Sequence, residues 1–196
     1  MSADAVGKPL SEPELSPLAA DLFAGPQAPV TKALIFCGWR TITVDCLIDP
    51  AHDLADPCFQ KALSHHLQTA DFIMAAFDCS TKTRAREIPR HFDDGRPAPK
   101  PLRSEDFPRG VPRLKEPHKS RVARDNTASD YVLGEIQACA QRGGASVREN
   151  PRHSLHWHDP VAGTHEGARN GTSRWGGCRH LGGRLHAGAL AVRPCL

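Results

Sequence analysis

The apolar residues of this chain change period several times, and each change marks an element. KALIFCGW, residues 32–39, is a continuous run of strand length ending at Gly38, and TITVDCLI, 41–48, alternates β-branched residues up to Asp45. Two strands in quick succession are predicted, with order beginning near Thr31. From His52 the period lengthens. Asp56 stands as an N-cap before Pro57, and Phe59, Leu63 and Leu67 recur every four residues, which predicts one buried face of a helix. ADFIMAAFDCS, 70–80, returns to an unbroken apolar run that stops at Asp78-Cys79, the pattern of a strand covered on both faces.

A second helix is predicted over KSRVARDNTASDYVLGEIQACAQRGG, 119–144. Val122, Tyr131, Leu133, Ile136 and Cys139 supply its stripe, and Gly143-Gly144 end it. ASVREN, 145–150, follows as a short strand closed by Pro151. Residues 80–119 are dense in proline and charge and keep no period, so a long irregular excursion is expected there. The rhythm is that of an α/β fold, a Rossmann-like, mostly parallel sheet flanked by helices, over residues 31–159. Residues 1–30, rich in Pro, Ala and Ser with one apolar patch at 18–23, read as a disordered lead-in.

Residues 160–196 read as a disordered tail. From 161 onward they hold 8 of the 16 glycines and a mixture of Arg and His without amphipathic period. That composition resembles GC-rich coding DNA read in a shifted frame, which predicts that a natural C-terminal half has been replaced. A natural basic tail is the other reading.

Composition narrows the class. A chain of 196 residues with 39% hydrophobic and 6% aromatic residues supports one domain with a lean core. The seven cysteines are odd in number and form no CxxC pair, which predicts a reducing, intracellular compartment, nuclear or cytoplasmic. No basic region precedes an apolar one at the N-terminus and no run of about 18 apolar residues occurs, so neither secretion nor membrane insertion is expected. The net charge of +3 is unevenly spread: residues 1–81 carry 4 Lys/Arg against 10 Asp/Glu, and residues 82–119 carry 11 against 6. The basic segment is either a solvated loop or a phosphate-contacting surface.

In parallel sheets ligands gather outside the carboxyl ends of the strands, and Asp45, Asp78-Cys79 and Glu149-Asn150 are all predicted to lie there. Cys79, followed by Lys82, Arg84 and Arg86, is either a small buried hydrophobe or a nucleophile whose thiolate those cations favour. Glu149 is either a turn-anchoring carboxylate or an acid beside that thiol. A thiol and a carboxyl group together suit attack on an electron-poor ring, with the acid holding the ring nitrogen. His153, His156 and His158, with Cys178 and His180, are candidate zinc ligands, but their spacing matches no standard finger and surface histidines are expected instead.

The series Phe36-Cys37-Gly38, Val44-Asp45, His52-Asp53-Leu54, Asp78-Cys79-Ser80 and Arg148-Glu149-Asn150-Pro151 resembles the first six motifs of cytosine-C5 methyltransferases. CSTKTRAREIPR, RPAPKPLRSEDFPRGVPRL and SVRENPRHSLHW are similar to a divergent methyltransferase-like group often encoded by mobile elements beside reverse transcriptases. The resemblance covers about residues 31–159. It implies a domain binding S-adenosylmethionine, with Phe36 and Gly38 under the cofactor, Asp45 on its ribose and Asp53 on its adenine. It further implies that Cys79 attacks C6 of a flipped cytosine, that Glu149 meets the pyrimidine N3 edge with Asn150 beside it, and that DNA is the partner. Lys82, Arg84, Arg86 and Arg103 would contact its phosphates from the basic excursion. The chain departs from the family at Asp78, where a proline precedes the cysteine, and at Trp39-Arg40, where a second glycine is usual. The later arginine-bearing motif, the target-recognition region and the last cofactor helix have no counterpart, which predicts a degenerate or truncated enzyme; the alternative is a non-catalytic nucleic-acid-binding domain that uses the basic excursion and the tail.

Overall fold

A computed structural model describes residues 16–88 and 99–163. Four parallel strands, β1 (Leu18–Leu22), β2 (Arg40–Val44), β3 (Phe72–Ala76) and β4 (Ala145–Glu149), form one sheet in the order β2-β1-β3-β4. The fold is α/β, as the alternation of periods predicts. Helix α1 (Pro29–Phe36) joins β1 to β2, α2 (Pro57–Leu67) joins β2 to β3, and α3 (His118–Gln141) joins β3 to β4. A short helix α4 (Pro160–Gly163) closes the described chain, and the tail from residue 164 onward lies outside it.

Three elements differ from the sequence expectation, one of them α4, which forms from the first four residues of the expected disordered tail and buries Ala162 in the core. The apolar patch at 18–23 is no lead-in: it contains β1, an inner strand buried along all five residues and paired with both β2 and β3. KALIFCGW does not form a strand, because Pro29 opens a helix that runs to Phe36. Gly38, with φ +84, ends this helix by donating its N–H to the carbonyl of Ile35, while Trp39 N–H reaches Leu34. Only a residue without Cβ takes that conformation cheaply.

The remaining elements follow their local chemistry. Asp56 accepts the N–H of Cys58 at 3.0 Å and caps α2, whose Phe59, Leu63 and Leu67 are fully buried. These three pack with Leu18, Ala20, Leu22, Ile42, Val44, Ile73 and Ala75 from one face of the sheet, and with Val132, Leu133, Ile136 and Cys139 of α3. The other face carries α1: Thr31 donates to Asp21 and meets Thr43, residues that alternate away from that core.

Helix α3 is 24 residues, about 36 Å, whereas each strand is 5 residues, about 17 Å. Its second half lies against the sheet. Its first half projects beyond the carboxyl ends of the strands and is covered by the 99–117 segment, where Val122 packs so close to Gly110 that a Cβ there would come within 2.9 Å. At the opposite edge, α3 ends against the entry to β3: Cys139 Sγ donates to the carbonyl of Ala70 at 3.4 Å, and a side chain at Gly144 would strike that sulfur. Burial raises the pKa of this thiol. Among the described residues, no helix is long and apolar enough to cross a membrane.

Candidate functional site

Strand order reverses at β1, whose outgoing helix lies on one face while the helices that follow lie on the other. In open α/β sheets this places a crevice at the carboxyl ends of β1 and β3. The rings of Phe23, just after β1, and Phe77, just after β3, face each other there with centroids 5.6 Å apart.

Cys79 and Glu149 reach this edge from neighbouring strands. β3 and β4 pair in parallel with Ala76 opposite Glu149, so Glu149 ends its strand level with a residue three positions before Cys79, at the same carboxyl edge. Cys79 is half-buried and Glu149 exposed. Asn150, 8% exposed, donates from Nδ2 to the carbonyl of Phe77 at 3.0 Å and fixes one chain end to the other; its Oδ1 has no partner. Asp78, next to the thiol, is exposed and folded into a turn: it accepts Ser80 N–H at 2.8 Å and Ser80 Oγ–H at 2.6 Å.

The residues assigned to the cofactor do not assemble. Phe36, 75% exposed, and Gly38 close α1 where the chain enters β2, at the amino edge, opposite to Asp45 and Cys79. The error follows from reading α1 as a strand, which turns its last residues toward the wrong edge. The glycine at the carboxyl edge is Gly25, in the 23–28 turn between β1 and α1. There Phe23, Gly25 and Ala28 all have positive φ, a strained conformation costing about 1–2 kcal/mol at each non-glycine position. Asp45, 8% exposed, accepts Gly25 N–H at 2.8 Å on one oxygen and Leu47 N–H at 2.7 Å on the other. Asp53 accepts Ala55 N–H at 3.0 Å and pairs with Arg124 at 2.9 Å. Both acids expected to hold a nucleoside are thus committed to the protein's own backbone and to an arginine. As arranged, they do not fit S-adenosylmethionine.

The basic excursion is also turned inward. Lys82 and Arg103, expected on phosphate, are each 1% exposed and converge on Asp125 of α3, at 2.6 and 2.9 Å. Lys82 also donates to Ser129 at 2.7 Å, and Arg103 to Thr81, Asn126 and the carbonyl of Pro108. Thr81 donates to Asp125 as well. Burial lowers the pKa of both cations and Asp125 opposes that shift. Such a knot fastens the start and the middle of the excursion to the projecting half of α3. Arg84 is held by Glu105 and Glu87, and Arg86 donates to the carbonyls of Ser80 and Lys100.

Next to this knot lies His156, which is not the surface histidine expected. It is 1% exposed, stacks on Phe77 at 4.4 Å, and has no partner for either ring nitrogen. Burial, reinforced by Lys82 and Arg148, pushes its pKa down to about 3, so it is neutral. Cys178 and His180 lie outside the described residues, among which no group of three metal-ligating side chains assembles.

No protein-family model, curated protein or solved structure matches this chain. The functional reading therefore rests on the geometry of the edge itself. Sequence reasoning missed Asp21, Gly25 and Asp125, and it named His156 without foreseeing its burial. LAADLFAG contained a signal for the first two, a short apolar run followed at once by glycine, the grammar of a strand entering a ligand-side turn.

Proposed function

We propose that the chain is a degenerate DNA cytosine methyltransferase-like domain that keeps the base-facing half of its site and has closed the cofactor-facing half on itself. The observation that supports this reading is the pairing of β3 with β4, which brings the chain ends that carry Cys79 and Glu149 to one edge on neighbouring strands, tied by the bond from Asn150 to Phe77. A thiolate at Cys79 would add to C6 of a flipped pyrimidine, the sulfur supplying the electron pair of the new bond. Charge would move toward C5, and Glu149 would hold the proton at N3. Completing the family's reaction needs a methyl donor, S-adenosylmethionine. Asp45 and Asp53 would first have to release Gly25 and Arg124, so no methyl-transfer step is derived for the present arrangement.

The experiment uses a duplex containing 2-pyrimidinone, a ring that accepts a thiol without needing methyl transfer. A covalent adduct that maps to Cys79 and vanishes in Cys79→Ser is expected. An equal yield from Cys79→Ser, or no adduct with the parent, overturns the nucleophile assignment. Calorimetry with S-adenosylmethionine at millimolar concentration should give no heat, whereas a saturable 1:1 isotherm would show the cofactor half to be functional.

A further inference from the structure

With Lys82 and Arg103 inside the protein, the basic character of the excursion has to act elsewhere or not at all. Residues 109–124 contain six Lys/Arg against one acid, Glu116. Arg109 is held by Asp130 and Asp159, and Arg124 by Asp53. Arg113, Lys115, Lys119 and Arg121 are exposed and form no ion pair among the described residues. Glu116, the acid nearest to them, is taken up by Ser120, which donates to it through both N–H and Oγ–H.

These cations are not scattered. Arg109, Arg113 and Lys119 border one open cavity of about 340 Å³, whose apolar wall is Val111, Leu114 and Val122 and whose lining contains no carboxylate. Arg113 holds φ +66, a conformation a non-glycine residue adopts at a cost of about 1–2 kcal/mol, and it is held beside the other two charges. Lys119 stands in the first turn of α3, where the helix dipole favours anions and the carboxylate of Glu116, just before the helix, already accepts Ser120 N–H. Like charges gathered at a positive helix end repel one another, and an anion in the cavity would relieve the repulsion. The projecting half of α3 places this groove beyond the carboxyl edge, on the side of the sheet where Cys79 and Glu149 leave it.

We propose that this groove binds the phosphate backbone of a nucleic acid, with Arg113 and Lys119 as the principal contacts and Lys115 and Arg121 flanking them. The identity of the polyanion rests on the function proposed above; the location of the groove does not.

The test is fluorescence anisotropy of the full chain with a mixed-sequence labelled duplex across a salt series. The parent should bind with a steep salt dependence. Arg113→Gly combined with Lys119→Ala should weaken binding at least tenfold and flatten the log–log salt slope by roughly two. Lys119→Gln separates binding from folding: the side chain is exposed and forms no ion pair among the described residues, so the melting temperature should stay close to the parent's while affinity falls. Parental affinity and slope in both variants, or no duplex binding by the parent, overturns the proposal, as does binding to anionic lipid vesicles in preference to the duplex. Anisotropy needs no covalent step, so a parent that binds duplex with a steep salt slope yet forms no 2-pyrimidinone adduct separates failure of the nucleophile assignment from failure of the groove.

Discussion

The side chain of Asn150 donates to the main-chain oxygen of Phe77 at 3.0 Å, so the residue after β4 sets the position of the residue after β3. Cys79 stands two residues beyond that anchor. Asn150→Ala should cost about 1–2 kcal/mol, because it strands a buried carbonyl as well as removing a bond. It should also loosen the 77–80 turn and speed maleimide labelling of Cys79, followed by mass spectrometry of the peptide. Unchanged labelling would mean that Asn150 supports the sheet without positioning the thiol.

The knot at Asp125 makes an asymmetric prediction. Asp125→Ala leaves Lys82 and Arg103 buried without their shared counter-charge and should cost about 3–5 kcal/mol in urea denaturation. Lys82→Met leaves Asp125 paired with Arg103 and puts an apolar chain of similar length against Phe77, so its cost should be much smaller. Equal costs would show that the Asp125–Arg103 pair contributes nothing by itself.

His156 predicts the acid limb of stability. Its pKa falls from an ordinary 6.5 to about 3 on folding, so the unfolded chain binds a proton that the native protein excludes. Its contribution is fully present above pH 6.5 and is lost as pH falls toward 3, at up to about 1.4 kcal/mol per pH unit. His156→Phe retains the stack on Phe77 and removes the titration. The unfolding free energy of this variant should therefore fall less steeply between pH 6.5 and 4; a slope equal to the parent's would assign the acid limb to other groups.

Asp45 holds the turn after β1 and the turn after β2 at once. Asp45→Ala should cost about 2–4 kcal/mol, since two backbone N–H groups lose a charged acceptor. Amide exchange at Gly25 and Leu47 should quicken in the variant. If only Leu47 responds, the clamp across the two turns is not the source of stability.

Much of the fold was legible because most elements announce themselves through period. Phe59, Leu63 and Leu67 could only be one face of a helix, and Asp56-Pro57 could only be its start. β1 escaped because an inner strand hemmed in on both faces by close neighbours is built here from Ala19, Ala20 and a buried Asp21. It therefore lacks the bulk that makes β3 conspicuous. Asp21 is tolerated because Thr31 gives it both N–H and O–H donors, a long-range compensation that no local pattern contains. α1 was misread for the opposite reason. Its run of Ala, Leu, Ile and Phe looks like a covered strand, yet Phe36 is largely exposed.

The candidate site was legible to the same degree. The placement of Cys79, Glu149 and Asn150 at the carboxyl edge could be read from strand ends, which apolar runs mark well. Charge was misleading: Lys82 and Arg103 look like phosphate ligands in a basic, proline-rich segment, and only the position of Asp125 on α3, more than twenty residues away from either, shows that they face inward. Composition says how many cations a segment has, and tertiary pairing decides which of them reach solvent.

The sulfur of Cys139, wedged under Gly144 at the far end of the sheet from Cys79, gives the protein two natural reporters on different clocks. A reagent in solution meets the half-buried Cys79 through small excursions of its turn, but reaches Cys139 only when α3 lifts from the entry to β3. The ratio of the two modification rates thus measures how independently the two rims of the sheet open.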